Sequence, residues 1–184
     1  METATTSATT TKWALDPAHS ELVFKVKHLM ISNVKGQFTK LNAQITSLGT
    51  DFANATVTVT IEAASVSTND DSRDAHLRGG DFFDVEKHPE LTFTGSSFKH
   101  ISGSNYKLLG ELTIKGVARQ VELDVDFGGI NKDPWGHEKA GFSVSGKINR
   151  KHWGLNWNAA LETGGVLVSE EVRINGELQF VKQG

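Results

Sequence analysis

Seven histidines, at positions 19, 28, 76, 88, 100, 137 and 152, are the first residues of this 184-residue chain that could carry chemistry. None falls into HExxH or another short ligand spacing, so no metal site is expected. Cysteine is absent, which removes thiolate nucleophiles and disulfides as well. Asp74 and Asp84 could be assembled on paper into an acid/base pair, although their spacing does not demand it, and His76 and Asp74 are the acid/base candidates if the chain were an enzyme. "GFSVSG" at 141–146 has the wrong spacing for a nucleophile elbow, and neither a P-loop nor a GxGxxG fingerprint occurs. No catalytic residue and no cofactor are expected, and the chain reads as a protein that is not an enzyme. Two places keep polar residues beside aromatics: "RDAHLRGGDFFDVEKHP" at 73–89, with Arg73 and His76, and "NRKHWGLNWN" at 149–158, with Arg150, Trp153 and Trp157. The tryptophans either plug a barrel end or border a pocket mouth, where Arg150 would pair with an acid or an anionic head group.

The elements that must hold these residues alternate with period two. "ATVTVTIEA" puts Ala55, Val57, Val59 and Ile61 on one face and threonines on the other, as a half-buried antiparallel strand does. "VELDVDF" and "VRINGELQF" repeat the pattern, and weaker versions run over Leu22–His28, Val34–Phe38, Leu91–Gly95, Tyr106–Ile114 and Ala140–Ile148. Turn-like stretches such as "SLGTDFAN", "ISGSN", "GGINKDPWG" and "ETGG" separate them. The reading is all-β, with eight antiparallel strands that suit a closed barrel; a two-sheet sandwich is the alternative. Gly36, Gly95, Gly110, Gly146 and Gly176 share the inward parity, either to let strands bend or to leave lumen space for a ligand. His28 continues the inward parity of Phe24 and Val26, as a hydrogen-bonded barrel-end residue or a ligand contact. "TNDD" at 68–71 predicts a helix capped near Thr68 and stopped by Gly79 and Gly80, with a short turn from Asp81 to before Pro89. This helical insertion falls between the third and fourth strands.

A formal net charge of −3 and a pI near 6.2 speak against a nucleic-acid partner. No run of residues is long and apolar enough for a membrane-spanning helix, and "METATTSATTTKW" has no secretory pattern, so an integral membrane protein is not expected and a cytoplasmic location is. Residues 1–11 read as a flexible tail and 12–184 as one domain.

"WALDPAHS", "FKVKH", "GQF", "RDAHL", "DFFD", "HPELTF", "GELTIKG" and "NRKHWGLNWN", in that order, resemble the YceI-like family of lipid- and polyisoprenoid-binding proteins. The resemblance implies an extended lipocalin-like barrel enclosing an apolar tunnel, which takes an isoprenoid or other long-chain lipid, and a possible homodimer. It departs from the family at His152 and Trp153, where an acid and a phenylalanine are common. Combined with strand parity, it implies a lumen lined by Phe24, Val26, Phe38, Val57, Val59 and Phe93 from the first half of the chain. Leu108, Leu112, Leu123, Val125, Phe142, Val144, Ile174 and Leu178 would complete it from the second half. Leu77, Phe82 and Phe83 would close over the tail, with His28, Arg73, His76 and Arg150 at the polar end. Sequestration or transport of an isoprenoid quinone or polyprenyl phosphate is the expected role, with a stress-protective barrel or a lipid-modifying enzyme as alternatives.

Overall fold

The computed structural model describes residues 9–161 and 166–184. Its strands are β1 Thr10–Leu15, β2 Glu21–His28, β3 Ser32–Phe38, β4 Leu41–Leu48, β5 Asp51–Glu62 and β6 Val66–Ser67 in the first part of the chain. One α-helix, α1, spans Asp71–Arg78, and β7 Glu90–Ser102, β8 Asn105–Ile114, β9 Val117–Lys132, β10 Glu138–Asn149 and β11 Val168–Gln183 follow. Of the expected tail, residues 1–8 lie outside the described residues, while Thr10 and Thr11 open β1.

Every strand pairs antiparallel, and the order β1-β4-β5-β7-β8-β9-β10-β11 closes on itself through a β1–β11 pairing, giving an eight-stranded barrel. β2, β3 and β6 continue β1, β4 and β5 along the barrel axis. β11 is long enough to serve both tiers: Phe180 lies opposite Leu15 in β1, while Ile174 lies opposite Phe24 in β2. The eight strands read from alternation each belong to a different stave of this barrel, and α1 enters after the third, as expected. The sequence reading missed β1, β4 and β6, the remaining parts of the first three staves. It also placed a turn over "SLGTDFAN", whose residues belong to β4 and β5 except for Gly49 and Thr50.

The first stave is divided by a polar corner. Asp16 caps a 3-10 turn at Pro17–His19 by accepting from the Ala18 amide at 3.1 Å, and its carboxylate also holds His19 Nδ1 at 2.8 Å and Lys139 Nζ of β10 at 2.9 Å. These three contacts hold Asp16 down at about pKa 2, the Lys139 bond first among the causes. Ser20 bridges to the backbone of Gln179 in β11.

One end of the barrel is shut by aromatics. Phe52 meets Trp13, Phe127 and Phe142 with ring centroids 5.1–5.4 Å apart, and Phe142 also contacts Phe180 and Phe98. Trp13 is fully buried because Ser47 accepts its indole N–H at 2.9 Å. Three inward glycines do not open lumen space. Phe24 lies over Gly36, Phe93 over Gly110 and Leu123 over Gly146, so closely that a Cβ would collide with the covering side chain. Absence of a side chain lets a large cross-strand neighbour lie flat on the wall.

α1 begins later than the sequence suggests. Asp70, not Thr68, is the cap, accepting from the Arg73 amide at 3.0 Å. Thr68 is instead buried and donates its hydroxyl and its amide to Asp74 at 2.6 and 2.8 Å. Arg73 grips the same residue through Nε to the Thr68 hydroxyl and Nη2 to its carbonyl, both at 2.8 Å. Arg73 and Asp74 therefore pin the helix to the strand end that precedes it. After Gly79 the chain runs through hydrogen-bonded turns to Pro89, with no second helix.

Candidate functional site

Inside the barrel lies one elongated cavity of about 610 Å³, within the range that binds small apolar molecules. All fourteen wall positions expected from strand parity line it, from Phe24 and Val26 on β2 to Ile174 and Leu178 on β11. Leu77, Phe82 and Phe83 cover it, and His28, Arg73, His76 and Arg150 also border it. Period two carries this result, because a strand in a barrel wall has one face to the lumen and one to solvent. Many wall residues, Val26, Ile174 and Leu123 among them, are only half-buried, since the void leaves their inner faces uncovered.

The polar lining is confined to one end. Lys27, His28, Thr68, Asp70, Ser72, Arg73, His76 and Arg150 supply it, and the solvent-exposed lining residues are Lys27, Asp70, Ser72 and Arg73. The cavity therefore opens between the β2–β3 hairpin and α1, opposite the aromatic end. The shape is a blind apolar tunnel with one polar mouth.

At the mouth, the Asp81 carboxylate accepts from His76 Nε2 at 2.9 Å, and the His76 ring stands edge-on to Trp157 and Phe82, with centroids 4.7 and 5.1 Å away. Phe83 reaches inward to Phe38 at 5.6 Å. The two acid/base candidates do not face each other: Asp74 faces Thr68 and His76 faces Asp81. The two tryptophans of "NRKHWGLNWN" divide the roles that sequence left open. Trp153 is buried and donates to the Leu112 carbonyl at 2.9 Å, while Trp157 borders the mouth.

Arg150 corrects an expectation. It is 3% exposed, and its guanidinium donates to the carbonyls of Ser169, Leu155, Trp157 and Val168 at 2.6–3.3 Å, with no carboxylate in contact among the described residues. Burial pulls its pKa below the ordinary arginine value, partly offset by Glu170. The residue clamps the segment leading into β11 and does not pair with an acid. His28 lines the cavity at the same end. Sequence reasoning passed over Leu41, Ala43 and Ile45 of β4 and Phe98 of β7, which also line the cavity. No group of three His, Cys, Asp or Glu residues that could hold a metal occurs among the described residues.

Known proteins share this architecture. A Staphylococcus aureus protein described as UPF0312 is 39% identical over 171 residues, covering 92% of this chain and 97% of that protein. The crystal structure of Burkholderia cenocepacia BcnA superposes with a TM-score of 0.78 at 26% identity, covering 90% of this chain and 98% of that one. A Campylobacter jejuni YceI protein gives 0.72 at 36% identity, with 86% and 90% covered. A polyisoprenoid binding domain from Saccharophagus degradans shares the fold, with a TM-score of 0.70 at 17% identity over 93% and 98% of the chains. The YceI-like domain matches residues 13–180 here, from the buried Trp13 to the barrel-closing Phe180, and the chain belongs to that family.

Proposed function

We propose that the protein binds one long-chain apolar lipid of the polyisoprenoid class in the barrel lumen, tail inward and polar end at the α1 mouth, and shields it from water as a carrier or store. The observation that carries this reading is the distribution of polarity: a blind apolar tunnel whose polar lining lies wholly at its open end. Burying about ten methylenes contributes up to about 8 kcal/mol before ordering costs, so the tail alone could bring affinity toward the micromolar range. The head group then needs little more than the polar mouth. The polyisoprenoid binding named for the Saccharophagus degradans domain agrees with the same use of the fold. A side-chain-filled, purely structural barrel is disfavoured by the cavity, and an enzyme is disfavoured by the separation of Asp74 from His76.

Equilibrium titration of delipidated protein tests the reading. Saturable 1:1 binding of an isoprenoid quinone or a polyprenyl phosphate, tighter than a fatty amide of equal length, is the expected result. Folded protein that binds none of the three would overturn it.

A further inference from the structure

The β2–β3 hairpin beside the mouth turns through Leu29 and Met30, both in left-handed backbone with φ of 53° and 63°. Tight hairpins of this kind favour Asn-Gly, and long apolar side chains fit them poorly. These two and Ile31 nevertheless stand out in solvent, at 39%, 53% and 81% exposure. Leu29 donates its amide to Leu167, itself a lining residue, so the tip is tied directly to the cavity mouth.

Below the tip, the outer face of the barrel carries an unusual row. Cross-strand register places Lys147 of β10 opposite Arg173 of β11, Arg173 opposite Lys25 of β2, and Lys25 opposite Lys35 of β3. All four are exposed, and like charges in neighbouring register destabilise a sheet. Glu171 sits 3.3 Å from Arg173, but Lys25, Lys27, Lys35 and Lys147 have no carboxylate within 4.0 Å among the described residues. This cationic face stands on a chain whose net charge is −3. Asp70 and Asp71 flank the other side of the mouth at the start of α1, so attraction is one-sided.

We propose that the Leu29–Met30–Ile31 tip and the Lys25–Lys35–Lys147–Arg173 row form a docking surface for an anionic phospholipid bilayer, the tip entering the interface while the cations meet head groups. Apolar side chains at the end of a basic surface are the combination that holds peripheral proteins at such interfaces. Docking there would bring the mouth to the membrane surface with α1 turned away.

Because the chain has no cysteine, an Ile31→Cys variant takes a single environment-sensitive fluorophore at the tip. Delipidated protein is mixed with vesicles of phosphatidylcholine alone or with about 30% phosphatidylglycerol, a charge density that engages basic surfaces. The expected result is a blue shift and sedimentation with the anionic vesicles, reversed by high salt. Lys25→Glu/Lys35→Glu should weaken partitioning at least about 20-fold, since each cation near such a surface is worth about fivefold. Met30→Ser should weaken it without changing its salt dependence. No shift on anionic vesicles, equal binding by the double charge reversal, or a shift that follows protein concentration and signals self-association would each overturn the proposal. The vesicles contain no polyisoprenoid, so this result is independent of what the lumen binds.

Discussion

Arg150 brings a charge into the barrel wall and spends four donors on backbone carbonyls that β-pairing leaves over where the chain crosses the mouth. Arg150→Met should therefore destabilise the protein by about 3 kcal/mol, the cost of several unsatisfied buried acceptors, read as a lower urea midpoint. Arg150→Lys should recover only part of that loss, because an ammonium cannot reproduce the fork. Val59, in the second half of β5, faces the void with a small side chain. Val59→Trp should leave the melting temperature within a few degrees and reduce lipid affinity at least about tenfold, because the added ring occupies lumen space in place of displacing packed neighbours. Residues of this kind were legible in the sequence because inward parity assigns them one by one. The role of Arg150 was not legible, since its partners are backbone carbonyls and no side-chain motif announces them.

At the scale of elements, the Asp16 corner lets one edge of β11 serve two strands in succession. Asp16 titrates near 2 when folded against an ordinary value of 3.8, so its paired carboxylate stabilises the fold above about pH 4, and that contribution disappears as pH falls toward 2. The pair is 15% and 20% exposed, and at most about 2 kcal/mol is at stake. Lys139→Met should lose stability at neutral pH and approach the parent protein near pH 2, followed by chemical denaturation across that range. Carboxyl NMR should show Asp16 moving back toward 3.8 in the same variant. β1 and β4 escaped the sequence reading for related reasons. β1 offers only Trp13 and Leu15 as inward apolar residues, and β4 puts Ser47 inward to accept the Trp13 indole, so neither shows a strong alternation. The cap of α1 was misplaced because Thr68 has the right chemistry for capping but uses it on buried Asp74.

Across the whole molecule, eight alternating staves form a closed wall with an apolar inner face, and the helical insertion after the third stave covers its open end. The strands, their inward faces and the place of the insertion follow from period two and turn placement, whereas closure and the cover were what the family resemblance implied. Which end is blind follows from neither, because the aromatic seal joins Trp13, Phe52, Phe127, Phe142 and Phe180 from five separate strands, far apart in sequence. The resulting polarity, sealed at one end and polar at the other, makes the barrel a holder for a molecule with one long apolar tail. Mass spectrometry of the intact protein under non-denaturing conditions, before and after incubation with an isoprenoid quinone, measures this most directly. A single adduct of one lipid per chain, diminished in Val59→Trp, is the predicted spectrum; a folded protein that remains at its bare mass throughout would contradict the account.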